Sequence, residues 1–377
     1  MWWSRSLLQA HITLLFTLDF NMKFDKFYKY FLVYIFIFLV IFIPLEGLIN
    51  YKTIDNRENR TLNNFPNFKE TEFKAYFNEI SKYFDDHFGV RKLFMRIYRI
   101  INKKFIKDSN IKEGTVGLDN FYFYFQELDF YEGKNCKNNN FDNLKSFIKN
   151  YNQDIAIIFV IIPTKAQILP DLLPSQIRKS SKRREVIDNL TKLNSGNKFA
   201  ILDLLEPLKI ENSKQIIYRK FDTHFNDYGA YYSYQEIIKF INKNYQKNIK
   251  ILPILSTKIQ KNVSGDFAKM MNRDDLIEDI VNIDIENKSH KINKVYSGKK
   301  YADFETDDYF NESNNIDLII FHDSFLNTGL GRFLSSSFRN IWNFWNYKID
   351  SEIFYDIIKK HQPDFIIIEI ADRHLCA

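Results

Sequence analysis

The run DIAIIFVIIPTK (Asp154–Lys165) decides the fold, because its core of isoleucine, valine and phenylalanine is apolar without a break. Three further runs of strand length share this character: AILDLL (Ala200–Leu205), IDLIIFHDSF (Ile316–Phe325) and DFIIIEI (Asp364–Ile370). A continuous apolar run, in contrast to an alternating one, is typical of a parallel strand that is buried on both faces. The sequence therefore predicts a parallel sheet that is covered on both sides.

Segments with the helical spacing of apolar residues separate these runs. They are Phe141–Tyr151, Lys182–Leu193, Tyr231–Ile241, Leu326–Ser336 and Glu352–Lys360. Strands that alternate with helices predict an α/β fold, here a three-layer α/β/α domain with a central, mostly parallel sheet. In such sheets the reactive side chains lie on loops beyond the carboxyl ends of the strands, so we look for a site there.

The composition excludes several classes of protein. Of the 377 residues, 45% are hydrophobic and 27% are charged, which excludes a disordered or collagen-like chain. The 2 cysteines are too few for a disulfide-dense scaffold or a cysteine-rich zinc module. The net charge of +6 is spread along the chain, so we predict no nucleic-acid partner.

An uncharged apolar run near the N-terminus predicts a transmembrane helix. It reads YFLVYIFIFLVIFI (Tyr30–Ile43), and residues 28–49 together are long enough to span a bilayer. Lys23, Lys26 and Lys29 precede it, and positive flanks favour the cytoplasmic side. We therefore predict a signal anchor that crosses the inner (cytoplasmic) membrane once, with the chain after Asn50 on the periplasmic (extracytoplasmic) side. A cleaved signal peptide and a buried core helix are the alternatives.

The predicted domain organisation follows from this anchor. Residues 1–27 form the cytoplasmic N-terminus, although the segment from Met22 reads like a true start, which would make residues 1–21 a gene-model extension. Residues 50–70 are polar and predict a linker. Residues 71–377 are expected to form one domain, with two helices before residue 105.

A serine stands at the end of one buried run. In the segment FHDSF (321–325), Ser324 follows a predicted strand and precedes a predicted helix. A nucleophile can be held exposed at such a turn, and its own backbone N–H can bind an oxyanion. The alternative is that Ser324 only caps the helix that begins near Asn327.

The segment FDTHF (221–225) offers the partners that a nucleophilic serine needs. A serine hydroxyl is almost un-ionised at neutral pH and requires a base, for which neutral histidine is suited. A carboxylate then fixes the tautomer of the imidazole. Asp222 and His224 lie two residues apart, so on an extended segment their side chains share a side. A solvated loop or half of a metal site is the alternative.

Three further residues are predicted to contact the substrate. Lys165 follows another strand end, Asp323 adjoins the serine, and Arg332 lies in the helix that follows it. The alternative for Lys165 is a strand-terminating turn with an exposed lysine. The alternative for Arg332 is an ion-paired surface residue.

Several segments, in the same order along the chain, resemble the SGNH hydrolase-like domain of the alginate O-acetyltransferase family (the AlgX/AlgJ type). The segments that carry the resemblance span nearly all of the chain after Asn50: NRTLNNFP (59–66), YFDDHFGVR (83–91), VIIPTKAQILPDLLP (160–174), DTHFNDYGA (222–230), SGDFAKMM (264–271), HDSF (322–325) and DFIIIEIADRHL (364–375).

The resemblance implies roles and partners. Asp222 is expected to orient His224, His224 to deprotonate Ser324, and Ser324 to form an acyl-enzyme. The implied reaction moves an acetyl group to a hydroxyl of an exported or cell-surface polysaccharide outside the cytoplasm. The implied partners are that acceptor polymer and a membrane-bound O-acyltransferase that exports the acetyl group. No cofactor and no metal are expected.

The chain departs from the family pattern at two positions, and two other functions remain open. His322 stands where the family often has glycine, and Phe225 where it usually has tryptophan. The same triad would serve an acetylesterase if water instead of a sugar reached the acyl-enzyme. A polysaccharide-binding or export scaffold is the other alternative. In that scaffold Trp342, Trp345 and Tyr347 would stack on sugars, unless they pack in the core.

Overall fold

The computed structural model describes residues 113–134, 155–194, 199–271, 273–296, 304–345 and 351–376, with short pieces before them (30–31, 34, 37, 54–55, 60–61, 65–66, 76, 78–83 and 110–111). The predicted anchor, linker and early helices lie largely outside these residues, and the predicted helix Phe141–Tyr151 lies wholly outside them. In the described part of the chain, no helix has the length and apolar character needed to cross a membrane.

The chain divides into two compact units, Met1–Lys107 and Asp108–Ala377. In the first unit, strand β1 (Ile54–Asp55) pairs antiparallel with β2 (Arg60–Thr61). Residues 78–83 are helical, and the ring of Tyr83 packs edge-on against Phe65 at 5.1 Å. The second unit contains the predicted strands and all the candidate site residues.

The strands of the second unit form three sheets. The strands are β3 (Asn110–Ile111), β4 (Gly114–Val116), β5 (Tyr122–Tyr124), β6 (Ala156–Ile162), β7 (Ala200–Asp203), β8 (Ile254–Ser264), β9 (Ile277–Ile285), β10 (His290–Tyr296), β11 (Phe304–Phe310), β12 (Asp317–Phe321), β13 (Asn340–Phe344) and β14 (Phe365–Ala371). The 7-stranded central sheet has the order β10-β11-β13-β12-β14-β6-β7. Strands β3, β4 and β5 form a small antiparallel sheet, and β8 and β9 form a hairpin.

The four apolar runs are β6, β7, β12 and β14, as predicted. Together with β13 they pair in parallel, whereas β10 and β11 pair antiparallel at one edge, so the sheet is mixed. Strand β13 was not predicted, because polar residues interrupt its short sequence NIWNF. The edge strands β10 and β11 lack a continuous apolar run for the same reason.

Helices cover both faces of the central sheet, and the described residues of the second unit contain eight α-helices. They are α1 (Phe125–Glu132), α2 (Lys165–Ile168), α3 (Lys182–Leu193), α4 (Leu205–Asn212), α5 (Asp227–Tyr245), α6 (Asp266–Met270), α7 (Gly331–Ser335) and α8 (Ser351–His361). Short turns of 3₁₀ or π type add Leu118–Asn120, Pro170–Leu172, Leu326–Leu330 and Asp372–Cys376. Helix α3 has the predicted bounds, and α5 and α8 extend the predicted ones by a few residues.

Alternate side chains of β6 enter two different cores. Ile158, Val160 and Ile162 pack on the side of α5, whereas the side chains between them pack with α3 and α8. Successive side chains of a strand point to opposite faces, so burial on both sides requires an unbroken apolar run. This is the three-layer α/β/α arrangement that the sequence predicts, and it brings the ends of β6, β12 and β14 to one edge.

Candidate active site

Ser324 lies just beyond the carboxyl end of β12, in a turn that a buried carboxylate holds. One oxygen of Asp323 accepts the backbone N–H of Phe325 at 2.9 Å, and the other accepts that of Ala371 at 2.7 Å. The second bond ties the turn to the end of β14. Asp323 is 1% exposed, whereas Ser324 is partly exposed. The turn therefore presents the hydroxyl while its neighbour is fixed.

His224 comes from the loop of residues 218–226 that leads into α5, here called the catalytic loop. The loop is closed by an isolated bridge between Tyr218 and Phe225. It ends where the side chain of Asn226 caps α5 by accepting the N–H groups of Tyr228 and Gly229. These local bonds hold the imidazole at the C-terminal edge of the central sheet.

The structure brings Ser324, His224 and Asp222 into one hydrogen-bonded line. The Nε2 atom of His224 lies 2.7 Å from the Ser324 hydroxyl, and its Nδ1 lies 2.8 Å from an Asp222 carboxylate oxygen. Because Nδ1 faces a carboxylate it carries the proton, and the neutral ring then accepts at Nε2. A histidine in this tautomer can take a proton from the serine hydroxyl.

Asp222 is itself held by three donors. Its Oδ2 accepts Arg219 Nη1 at 2.7 Å and the backbone N–H of Asp266 at 3.2 Å. Its Oδ1, which faces the imidazole, also accepts the backbone N–H of His224 at 3.1 Å. The carboxylate is buried, with 5% exposure, and these bonds replace the water that it lacks.

A second carboxylate at the imidazole was missed from the sequence. Asp266 Oδ2 lies 3.1 Å from His224 Nδ1 and accepts the Thr223 hydroxyl at 2.7 Å. The segment SGDFAKMM (264–271) carried part of the family resemblance, but nothing in its residue types assigned Asp266 a role. The ligand atoms of Asp222, His224 and Asp266 lie within 4.8 Å of one another, a spacing at which they could also hold a metal ion.

The two carboxylates change the titration of the histidine. Burial lowers the pKa of His224, but hydrogen bonds with Asp222 and Asp266 outweigh burial and raise the pKa to about 9. Burial would raise the pKa of Asp266, yet the hydrogen bond and charge of His224 hold it well below its ordinary value. At neutral pH the raised pKa of His224 therefore favours the protonated imidazole, and the neutral ring that can accept the serine proton becomes more abundant as pH rises toward 9.

The structure corrects the prediction that Lys165 contacts the substrate. Lys165 is 0% exposed, and its ammonium donates to the main-chain oxygens of Tyr122 at 2.7 Å and Asp222 at 2.5 Å. Burial lowers its pKa to about 8. Lys165 begins α2 and is enclosed by α1 and the catalytic loop, and its ammonium is occupied by main-chain contacts. Lys165 instead fixes the backbone that carries Asp222.

Asp323 and Arg332 both make contacts within the protein, and their contact with a substrate stays a prediction. Both oxygens of Asp323 accept backbone N–H groups, one in the serine turn and one at the end of β14, so Asp323 positions Ser324. Arg332 donates to Asp227 at 2.7 Å and to the main-chain oxygen of Ile283 at 2.9 Å. It therefore joins α7 to the start of α5 and to β9, as an ion-paired residue does.

The two positions that depart from the family pattern are both buried. His322 is 3% exposed and lies with Nδ1 2.7 Å from the main-chain oxygen of Asp323. Burial lowers the pKa of His322 to about 4, so it is neutral. Phe225 packs edge-on against Phe325 at 4.9 Å. Neither side chain intrudes between His224 and Ser324.

Two structural features of the site could receive a ligand. A cavity of about 160 Å³ adjoins His224 and lies between the catalytic loop and β9, with lining residues that include Arg219, Asn226, Ile280, Val281 and Thr328. Trp345 is 41% exposed, and its ring packs edge-on against that of His322 at 5.8 Å. Trp342 is half-buried in the core, and Tyr347 lies outside the described residues.

Comparisons with known proteins agree with this fold. A family model for the SGNH hydrolase-like domain of the acetyltransferase AlgX matches residues 116–351. No curated protein matches the chain. Among solved structures, a DHHW family protein from Eubacterium siraeum is 14% identical, with 71% of this chain and 91% of that chain covered and a TM-score of 0.50.

Two further solved structures are similar to the chain. The O-acetyltransferase domain of Pseudomonas putida AlgJ is 14% identical, with 69% and 91% of the two chains covered and a TM-score of 0.45. Bacillus cereus PatB1 is 19% identical, with 68% and 93% covered and a TM-score of 0.47. At such identities a structural likeness concerns the fold alone.

Proposed function

The chain belongs to the family of SGNH hydrolase-like acetyltransferase domains typified by AlgX, and we propose that it moves an acetyl group through Ser324 to hydroxyls of a polysaccharide. The observation that carries the proposal is the hydrogen-bonded line Ser324–His224–Asp222, with distances of 2.7 and 2.8 Å. The conclusion is an O-acetyltransferase that uses a covalent serine intermediate.

The first half of the reaction loads the serine. Ser324 Oγ attacks the carbonyl carbon of the donor acetyl group while His224 Nε2 takes the hydroxyl proton. The bond from the acetyl carbon to the donor atom then breaks, and His224 returns the proton to that leaving group. In this proposal the backbone N–H of Ser324 stabilises the oxyanion that forms in between.

The second half transfers the acetyl group to the acceptor. A sugar hydroxyl gives its proton to His224 Nε2 and attacks the acetyl carbon, and the ester bond to Ser324 breaks. His224 then returns the proton to Ser324 Oγ, which restores the resting enzyme. Asp222 stabilises the imidazolium in both halves.

An aromatic surface beside the serine turn supports a carbohydrate acceptor. Trp345 is exposed next to His322, two residues before Ser324, and an exposed indole can stack on a sugar face. In this proposal residues 28–49 anchor the protein in the membrane, the domain acts on the periplasmic side, and a membrane-bound O-acyltransferase supplies the acetyl group.

The test uses a chromogenic acetyl ester with and without candidate oligosaccharides. We expect mass spectrometry to find one acetyl group on Ser324 and on the oligosaccharide. Ser324→Ala should lose both products, whereas Ser256→Ala, at an exposed strand position, should keep them. Full acetyl transfer by Ser324→Ala would refute the proposal. Acetate release with no acetylated sugar, for every acceptor tried, would identify an esterase.

A further inference from the structure

We propose that Asp266 is a second positioning carboxylate for His224, which acts beside Asp222 on the same ring nitrogen. The inference rests on the proposed function, because it concerns the histidine that would activate Ser324. It goes beyond a single Ser–His–Asp line, in which one carboxylate orients the base.

The contacts of Asp266 point at the imidazole. Its Oδ2 lies 3.1 Å from His224 Nδ1, only slightly farther than Asp222 Oδ1 at 2.8 Å. The Thr223 hydroxyl donates to the same Asp266 oxygen at 2.7 Å and lies 3.2 Å from Nδ1. One N–H group thus faces two carboxylates, and the threonine holds the second carboxylate in place.

The backbone at Gly265 and Asp266 lies close enough to the catalytic loop for Asp266 to reach the imidazole of His224. Gly265 lies so close to the catalytic loop that a Cβ there would be 2.1 Å from the main-chain oxygen of Phe221. The N–H of Asp266 donates to Asp222 Oδ2 at 3.2 Å, and that of Phe267 donates to Phe221 at 3.2 Å. A larger residue at position 265 would push Asp266 away from the ring.

The charged groups around the His224 imidazole differ between Asp222 and Asp266. On the loop of His224, Asp222 is paired with Arg219 at 2.7 Å. On α6, Asp266 has Lys269 nearby, and Tyr124 adds its phenol from β5. From α2, the Lys165 ammonium donates to the main-chain oxygen of Asp222. Arg219 also lies 3.4 Å from Glu278 of β9, and Asp266 adds a negative charge at the ring that stabilises the imidazolium formed when Ser324 loses its proton.

The experiment follows the reaction of Ser324 with phenylmethylsulfonyl fluoride on the full chain, between about pH 6 and 10. In this step Ser324 Oγ bonds to sulfur, fluoride leaves and His224 takes the proton, so the rate rises as His224 becomes neutral. Intact-mass spectrometry gives the rate without any acetyl substrate. Asp266→Asn keeps the size and the threonine bond but removes the charge.

We expect Asp266→Asn to move the midpoint of the pH profile down by roughly one unit, because the imidazolium loses an anion. The plateau rate should fall about tenfold as orientation is lost. Asp274→Asn, at an exposed acid shortly after α6, should match the unsubstituted protein. A change of plateau with no shift of midpoint would overturn the inference, because a purely structural role moves only the plateau.

A second variant, Thr223→Val, tests the inference even if Asp266→Asn folds poorly. Thr223→Val keeps the shape of the side chain and removes only the hydroxyl that holds Asp266, so its midpoint should move in the same direction by a smaller amount. An unmoved midpoint in a folded Thr223→Val protein would contradict the inference. Retained acetyl transfer by Ser324→Ala would instead refute the proposed function, so the two failures are distinguishable.

Discussion

The imidazole Nε2 of His224 lies 2.7 Å from the hydroxyl oxygen of Ser324, although 100 residues separate them along the chain. If the two act as a unit, His224→Ala and Ser324→Ala should each lower acetylation of the enzyme at least about a thousandfold, and the double variant should lose little more. Single-turnover kinetics on a chromogenic acetyl ester measures this. Additive losses would show that the residues act separately.

The acylation rate should rise with pH through about 9, because His224 must be neutral to accept the serine proton and its pKa is raised to about 9. The raised pKa of His224 also makes the free energy of unfolding depend on pH. The folded pKa exceeds the unfolded one, so the stabilisation by His224 is complete below about pH 6.5 and is lost as pH rises toward 9. A rate that falls between neutral pH and pH 9 would contradict the expectation.

Glu369 should tolerate loss of its charge, whereas Asp323 should not. Burial and the neighbouring Asp323 carboxylate raise the pKa of Glu369 well above its ordinary value, so it is a neutral acid that glutamine can imitate. Asp323 accepts two backbone N–H groups, and Asp323→Asn can satisfy only one, at a cost of about 1–3 kcal/mol.

The measurement is a pair of urea unfolding curves at neutral pH, with acylation kinetics beside them. Glu369→Gln should follow the unsubstituted protein in both, and Asp323→Asn should lose stability and rate together. Equal losses in the two variants would mean that Glu369 is ionised.

Lys165→Met should destabilise the domain and disturb the catalytic loop. The ammonium donates to the main-chain oxygens of Tyr122 and Asp222, and its removal leaves buried carbonyls unsatisfied at about 1–3 kcal/mol. The pKa of Lys165 is lowered by burial to about 8. The unfolded chain therefore binds more protons between about pH 8 and 10.5, and this group makes stability rise across that window.

Urea unfolding at several pH values tests both parts. Lys165→Met should lose stability and also lose this contribution to the alkaline rise, whereas Lys258→Met, at an exposed position of β8, should keep both. A Lys165→Met protein of unchanged stability and activity would show that the lysine does not hold the loop.

Trp345→Ala should weaken use of a polymeric acceptor without affecting acylation of the enzyme. The indole is exposed beside the serine turn, where it can stack on a sugar but does not contact His224 or the acetyl group in the proposed reaction. We expect KM for an oligosaccharide to rise several-fold and the rate with a small ester to stay constant.

Leu255→Ala, which removes another exposed apolar side chain, is the control. If Trp345→Ala lowered the rate with the small ester as strongly as the rate with the oligosaccharide, the indole would act through the serine turn and not through the sugar.

The sequence alone predicted the central layer and the three residues of the Ser–His–Asp line. Strands β6, β12 and β14 are buried on both faces, and such burial requires a nearly continuous apolar run that the sequence shows directly. Ser324 stands out because it follows a strand end. Asp222 and His224 stand out because a carboxylate and a histidine two residues apart are the partners that a nucleophilic serine needs. Their catalytic roles remain predictions that the geometry supports.

The tertiary structure decided what depends on contacts between distant segments. Lys165 is the plainest case, because the same strand end fits an exposed lysine or a buried one, and only the packing of α1 and the catalytic loop encloses it. Asp266 reaches His224 from 42 residues away, through a backbone approach that requires Gly265. Residue type and local periodicity record burial along one strand, but they do not record which side chains a folded chain brings within hydrogen-bonding distance.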